Sequence, residues 1–255
     1  MLRVLKRAFR RRFPRRLDPL LDTPLVFRGR DDEFAAAYAR AVAGEPLPFI
    51  QERYREGVRL RQVVEALLAT PARRVLDLGA GNAAVALAMS ATGQSRVVAI
   101  DRLINHTLRG LVPHIAADGV ALPLKDRSID VVLCLETIEH IPPVSLPQFA
   151  GEMVRVLAAE GLILMTTPPR WRYLLRPDPH FGIRGLLLLP SAAQRAVAAR
   201  RGFDEPHHYV GRIVSSVGQV AKLFPGFEVE VLSRSRAPKR WIWDALVLRR
   251  QKARL

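Results

Sequence analysis

A carboxylate and two glycines stand close together at the end of an apolar run, in the segment 75–81, which reads VLDLGAG. Gly79 and Gly81 allow a tight turn there and let a ligand approach the backbone closely. A second apolar run ends at Asp101, where a carboxylate can accept hydrogen bonds from both hydroxyls of a ribose. We therefore expect a site for a ligand that contains a nucleoside, with Asp77 beside it.

The position of Asp77 distinguishes two classes of ligand. Gly79-x-Gly81-x-x-Ala84 also satisfies the relaxed fingerprint of dinucleotide-binding proteins. The pyrophosphate of a dinucleotide is anionic, so a carboxylate two residues before Gly79 would repel it. S-adenosylmethionine carries an ammonium and a sulfonium, and a nearby carboxylate attracts both. The residues therefore favour S-adenosylmethionine over a nicotinamide dinucleotide.

Parallel strands are the elements that would bring these residues together. Apolar runs alternate with helical patterns, which predicts right-handed βαβ units and a parallel sheet. Strands are predicted at 74–78, 97–100, about 112–117, 129–135, 161–167, 227–232 and 245–249. Helices are predicted near 57–69, from the glycine turn to 91, at 145–157 and near 215–224. Ligands bind beyond the carboxyl ends of such strands, where Asp77 and Asp101 stand.

Three further segments follow in a characteristic order. They read DGVALPLKDRSID from Asp118, LETIEHI from Leu135 and GLILMTTP from Gly161. Together with the glycine turn, they resemble the class I S-adenosylmethionine-dependent methyltransferases, in particular the type 11 group, over roughly residues 70–170. The resemblance implies an α/β fold with a Rossmann-like, doubly wound, mostly parallel seven-stranded sheet, and S-adenosylmethionine as cofactor. One departure is Ala83, where the family often has a third glycine.

The resemblance also implies roles for individual residues. The implied cofactor-binding set is Asp77, Gly79 and Gly81 around the methionine part, Asp101 on the ribose, Asp118 with Gly119 at the adenine amino group, and Glu136 at the start of the loop between cofactor and substrate. Asn82 either contacts the cofactor or caps the helix that begins there. Asp130 is expected to orient a turn, and Glu139 is expected to be exposed.

The segment 168–210 is too long for a plain connection and is rich in proline, arginine and aromatic residues. Long loops at this edge of a sheet form lids or substrate pockets. We expect Trp171, Tyr173 and Phe181 to contact the methyl acceptor. His180 is the candidate for a catalytic base, which is needed only if the acceptor must lose a proton. The alternative is that His180 holds the lid through a hydrogen bond.

His140 has two open interpretations. It either takes part in catalysis or fixes the loop after the fourth strand by hydrogen bonding. Methyl transfer depends mainly on positioning and on the exclusion of water, so a base is not obligatory. His207 and His208 are adjacent but have no further clustered ligands, and no metal site is predicted.

The charge of the chain is concentrated at its two ends. The net charge is +16, from 40 basic and 24 acidic residues, but residues 1–16 carry eight basic residues and no acid. Residues 233–255 carry eight more and one acid, so the body between them is nearly neutral. A histone-like protein, basic throughout, is thereby excluded. The segment 1–17 combines these charges with an apolar stripe formed by Leu2, Leu5, Phe9 and Phe13, a pattern typical of helices on anionic membranes. RNA binding and packing against the domain are the alternatives.

The length of 255 residues fits one α/β domain with additions. We predict a basic amphipathic segment at 1–17, an N-terminal helical region at 18–70, and a methyltransferase domain at 71–255 that contains the insertion 168–210. The single cysteine, Cys134, is interpreted as a buried apolar residue. No apolar run is long enough to span a membrane. We expect a cytoplasmic location, with peripheral membrane contact through residues 1–17 as an option.

The predicted function is transfer of the methyl group of S-adenosylmethionine to a small-molecule or lipid-like acceptor. Three alternatives stay open at this point. They are an RNA (tRNA) methyltransferase that uses the basic termini, a nicotinamide oxidoreductase, and a non-catalytic membrane-surface protein that retains the fold.

Overall fold

The computed structural model describes residues 47–68, 72–102, 112–167, 177, 182–186, 189–201, 217–233 and 244–251, which form a sheet flanked by helices. The strands are β1 (Arg74–Leu78), β2 (Arg96–Asp101), β3 (His114–Ala116), β4 (Ile129–Leu135), β5 (Leu157–Thr167), β6 (Phe227–Ser233) and β7 (Asp244–Arg250). The helices are α1 (Leu47–Leu68), α2 (Ala84–Ser90), α3 (Leu146–Val156), α4 (Ser191–Arg200) and α5 (Val217–Leu223), and a one-turn 3₁₀ helix covers Ile138–His140.

The seven strands lie in the order β3-β2-β1-β4-β5-β7-β6. Strands β1 to β5 pair in parallel, whereas β7 runs antiparallel to both β5 and β6. The strand order reverses between β1 and β4, and ligands bind at the carboxyl ends of strands that flank such a switch point. The predicted fold class, a doubly wound and mostly parallel seven-stranded sheet, is confirmed.

The central strands are buried on both faces, which explains why they read as continuous apolar runs. On one face of β4, Val132 and Cys134 pack in a core cluster that contains Phe149 of α3. On the other face, Leu133 packs in a second cluster with Met89 of α2. Burial on both sides leaves no polar alternation in β4, and its observed bounds are the predicted ones.

Helix α1 begins ten residues earlier than the helix predicted at 57–69. Pro48 is accommodated because it lies in the first turn, where no backbone donor is needed. α1 buries Ile50 and Val64, and a Cβ placed on Gly57 would lie only 2.7 Å from the Cβ of Ala88. Close packing on α2 therefore extends the helix beyond the limits that the local pattern indicated.

Two further elements differ from the prediction. β5 begins at Leu157, four residues early, because Leu157 pairs with Ile129 beyond a register shift. Helix α4 lies inside the insertion 168–210, where no helix was predicted. The bounds of β3, α5, β6 and β7 agree with the predicted ones to within two residues.

Several predicted features lie outside the described residues. These are the basic segment 1–17 and the four insertion residues Trp171, Tyr173, His180 and Phe181. Their roles and the domain boundaries stay predictions. In the ranges that the structure describes, no helix is both long enough and apolar enough to span a bilayer.

Candidate active site

The turn after β1 is held against two neighbouring elements. The N–H of Gly79 donates to the carbonyl of Ile100 in β2 at 2.8 Å. Gly79 has a φ of +75°, and a Cβ there would collide with the side chain of Thr137, which follows β4. Only glycine satisfies both conditions, because other residues seldom adopt a positive φ and all carry a Cβ. The turn thereby joins the carboxyl ends of β1, β2 and β4.

Gly81 forms the open part of the same turn. Its φ is +52°, and no described atom lies within 4 Å of the position that a Cβ would occupy. Its N–H donates to Asp101 Oδ2 at 2.9 Å, which ties the turn to the end of β2. The space over Gly81 lets a ligand approach the backbone, with the Asp101 carboxylate beside it.

Asn82 and Ala83 begin helix α2. Asn82 Oδ1 accepts the N–H of Ala84 at 3.0 Å, at the start of the helix, and contact of Asn82 with the cofactor stays a prediction. Ala83 has a φ of +61° and ψ of +18°, in the left-handed region. This backbone explains why the family often has glycine at the position and shows that alanine occupies it here at a conformational cost.

Asp77 lies beneath the turn and is only 2% exposed. One side of its carboxylate accepts the N–H of Ala86 in α2, while Oδ2 has no hydrogen-bond partner among the described residues. Burial raises the pKa of Asp77 to about 7, although the positive charge of Arg53 lowers it. A buried carboxylate with one unpartnered oxygen, beside an open turn, is suited to a cationic ligand.

Arg53 of α1 supplies the positive charge on this side of the site. Its guanidinium hydrogen-bonds Glu56 one turn later and lies 3.6 Å from Glu136 Oε1. Desolvation lowers the pKa of Arg53, but its interactions with Glu56, Glu136 and Asp77 outweigh that effect and raise it. Sequence reasoning missed both Arg53 and Glu56. Their spacing of three residues indicates one helix face, but nothing local shows what that face meets.

Glu136 begins the loop after β4, as the resemblance implied. Its N–H donates to the carbonyl of Thr166 at 3.1 Å, and its φ of +54° is unusual for a residue with a side chain. Burial raises the pKa of Glu136 to about 7, and the charge of Arg53 opposes this rise. Strained backbone of this kind concentrates at functional sites.

Glu139 contradicts the prediction that it is exposed, because it is only 1% exposed. The 3₁₀ turn at Ile138–His140 directs its side chain inward, and Oε2 has no partner within the described part of the chain. Burial raises the pKa of Glu139 to about 8. His140, the next residue, is half-buried at the end of the turn, and its role stays a prediction.

Asp118 and Gly119 lie in the loop after β3, at the same edge of the sheet. The preceding residue, Ala117, donates its N–H to the carbonyl of Asp101 at 2.9 Å. Asp118 Oδ1 accepts the N–H of Val120 at 3.1 Å, which closes a local turn. The structure thus brings the predicted ribose and adenine residues to adjacent positions.

Asp130 lies at the opposite end of the sheet. It accepts the backbone N–H of Arg74 at 2.9 Å and also pairs with the Arg74 guanidinium. The hydrogen bond from Arg74 lowers the pKa of Asp130. Asp130 therefore joins the starts of β1 and β4; its role is structural, but it lies in a strand and not in the turn that was expected.

The chemistry of the described side chains fits S-adenosylmethionine. The site combines an open glycine turn, a carboxylate at the end of β2, and buried acids whose oxygens lack partners. No group of three or more His, Cys, Asp or Glu residues in the described ranges is arranged to hold a metal ion. The residues that would hold the cofactor are Asp77, Gly79, Gly81, Asn82, Asp101, Asp118, Gly119 and Glu136, together with Arg53.

Comparisons of the sequence with known proteins find methyltransferases. Residues 76–165 match the family model of a methyltransferase domain. A probable S-adenosylmethionine-dependent methyltransferase of Mycobacterium tuberculosis is 34% identical over 120 residues, which are 44% of this chain and 42% of that protein. The ubiquinone biosynthesis O-methyltransferase of Bordetella parapertussis is 28% identical over 208 residues, which are 70% of this chain and 81% of that protein.

Solved structures share the fold. The 1,6-didemethyltoxoflavin-N1-methyltransferase of Burkholderia thailandensis superposes with a TM-score of 0.53 at 16% identity, over 91% of this chain and 93% of that chain. The plantazolicin methyltransferase BpumL gives a TM-score of 0.56 at 11% identity, over 87% of this chain and 90% of that chain.

The chain therefore carries a class I S-adenosylmethionine-dependent methyltransferase domain. Within that class, residues 76–165 match the model of the methyltransferase type 11 group. The cofactor predicted from Asp77 and the motifs is confirmed. The match to the mycobacterial relative spans less than half the length of that protein.

Proposed function

We propose that this protein transfers the methyl group of S-adenosylmethionine to a small-molecule or lipid-like acceptor. The observation that carries the proposal is the group of buried acids beside the open glycine turn, in a domain of the type 11 group. When bound, the cofactor supplies a methyl group that is already activated for displacement.

The charges of the site suit the amino-acid part of the cofactor. Asp77 and Glu136 would attract its ammonium, and Arg53, which interacts with both, would attract its carboxylate. The two acids outnumber the one arginine. A zwitterionic ligand can pair its ammonium with the acids and its carboxylate with the arginine. Positioning of this kind contributes to catalysis because transfer requires an in-line approach of the acceptor.

The acceptor side of the proposal rests on the insertion and on a relative. A curated relative that matches 70% of this chain is named for O-methylation in ubiquinone biosynthesis, which supports a small organic acceptor here. We propose Trp171, Tyr173 and Phe181 as acceptor contacts and His180 as the base for an acceptor hydroxyl. His140, beside the buried Glu139, is the alternative base.

We further propose a cytoplasmic enzyme whose segment 1–17 binds an anionic membrane surface. Eight basic residues and an apolar stripe support this assignment. Vesicles containing anionic lipid should bind the full chain, and a chain in which the eight basic residues are replaced by glutamine should lose that binding. Salt-sensitive binding to tRNA in place of vesicles would support the RNA alternative.

Isothermal titration with S-adenosylhomocysteine tests the proposed function. We expect the folded protein to bind this ligand, and Asp77→Ala to lose most of the affinity. Glu160→Ala is the matched control, because Glu160 is an exposed acid at the other end of β5. If a folded sample shows no heat of binding at millimolar ligand, the proposal is wrong.

A further inference from the structure

The loop that carries Asp118 and Gly119 is fastened to one face of α3. Gly119 is buried against Phe149, and a Cβ on Gly119 would collide with the Phe149 ring. The carbonyl of Val120 accepts a hydrogen bond from Gln148 Nε2 at 3.1 Å. The first part of this loop therefore rests directly on α3.

Arg155 holds the second part of the loop with its whole guanidinium. Two of its donors bind Glu152, at 2.7 and 2.8 Å. One donor binds the carbonyl of Leu122 at 3.0 Å, another binds the carbonyl of Leu124 at 2.8 Å, and another binds Asp126 Oδ1 at 2.7 Å. All five N–H donors of the guanidinium are thus used, and three of them reach the loop.

The partners of Arg155 complete the connection. Glu152 Oε2 accepts the backbone N–H of Leu122 at 2.7 Å, so the Glu152 and Arg155 side chains together satisfy both backbone groups of that residue. The backbone carbonyl of Arg155 accepts the N–H of Arg127 at 2.9 Å. Gln148, Glu152 and Arg155 are spaced four and three residues apart, which places them on one helix face.

We propose that Arg155 and Glu152 are positioning residues that hold this loop in the conformation that binds the adenine end of the cofactor. The proposal rests on the proposed function and on the adenine role of Asp118. A loop that is already ordered pays no ordering entropy when the ligand binds, so its tethers contribute to affinity without touching the ligand.

Calorimetry with S-adenosylhomocysteine on Arg155→Lys and Arg155→Ala tests the proposal. We expect both variants to bind about tenfold more weakly, because ordering the backbone of even one residue costs about that factor. Lysine at position 155 should not restore the affinity, since its ammonium cannot reproduce the planar set of guanidinium donors. Arg74→Lys is the matched control, because Arg74 also pairs with a carboxylate, but that carboxylate, Asp130, belongs to β4 and not to the loop.

Hydrogen exchange separates positioning from general stability. In the Arg155 variants, amides 119–127 should lose protection in the free protein and regain it at saturating S-adenosylhomocysteine, while the amides of β4 and β5 stay protected. If these variants do not fold, Asp126→Ala removes only the hydrogen bond between Arg155 and Asp126 and should weaken binding about twofold to threefold. Unchanged affinity in the variants, while the unaltered protein binds, would overturn this inference alone. Failure of the unaltered protein to bind would overturn the proposed function as well.

Discussion

The two sides of the candidate cofactor site satisfy their polar groups to different extents. On the side of α1 and β1, Asp77, Glu56 and Glu139 are buried and each retains an oxygen without a partner in the described structure. On the side of α3, Arg155 uses every N–H donor and Glu152 binds both Arg155 and the backbone of the loop. The first side therefore has buried oxygens without hydrogen bonds, whereas the hydrogen bonds of Arg155 on the second side are all made.

This difference indicates that the first side binds the ligand directly and that Arg155 and Glu152 on the second side position a loop. A buried carboxylate without a partner is destabilising unless something compensates its charge, and Arg53 compensates only part of it. A cationic ligand would complete the first side, whereas on the second side Arg155 has no N–H donor left for a ligand. We therefore expect substitutions on the acid side to change affinity more than stability.

The largest expected effect is that of Gly79→Ala, which should lower the free energy of unfolding by about 3 kcal/mol, through overpacking against Thr137 and a strained φ. Gly226→Ala is the control, because its φ of +80° is similar but no described atom lies within 4 Å of the added Cβ. The Gly226→Ala variant should lose about 1 kcal/mol of its free energy of unfolding. Urea unfolding measures both, and equal losses would refute the packing argument.

Asp77→Asn should weaken S-adenosylhomocysteine binding by about ten- to hundredfold, since a hydrogen bond or ion pair to a charged group contributes about 1.5–3 kcal/mol. At pH 8 the free energy of unfolding should not fall, because the amide removes a buried charge and keeps an acceptor for Ala86. Titration calorimetry and urea unfolding check the two statements. A variant that is less stable but binds normally would assign Asp77 to the fold alone.

Affinity and stability should change in opposite directions with pH. Because burial raises the pKa of Asp77 and Glu136 to about 7 and that of Glu139 to about 8, the free protein should lose stability between about pH 5 and 8 as these groups ionise. Affinity for S-adenosylhomocysteine should rise about tenfold from pH 6 to 8 if one such group must be ionised. Asp77→Asn should flatten the affinity profile, and an equally steep profile in that variant would exclude Asp77 as the titrating group.

The smallest effect is expected for Ala83→Gly. Glycine relieves the strain of a φ of +61°, which stabilises the fold by about 1–2 kcal/mol. It also removes a buried methyl group, which costs about 0.8 kcal/mol, and it makes the unfolded chain more flexible, which lowers stability further. Stability should therefore change by less than about 1 kcal/mol, and S-adenosylhomocysteine affinity should stay the same. A tenfold change in affinity would mean that residue 83 contacts the cofactor.

Most of the fold could be predicted because its signals are local. The strand bounds of β4 and the glycine turn follow from short apolar runs and from residues adjacent in the chain. The start of α1 could not be predicted, because it depends on packing against α2, about thirty residues away. Glu139 was misjudged for a similar reason, since a charged residue after a strand is usually exposed and only the 3₁₀ turn buries it.

The sequence by itself determined the class of the domain and its cofactor, because Asp77, Gly79, Gly81 and Asp101 lie in short motifs whose chemistry is readable one segment at a time. Only the tertiary structure showed that Arg53 from α1 reaches Glu136, and that Arg155 from α3 binds the loop around Leu122. Such contacts join residues that are tens of positions apart. They depend on how the helices dock on the sheet, which no local pattern of residues contains.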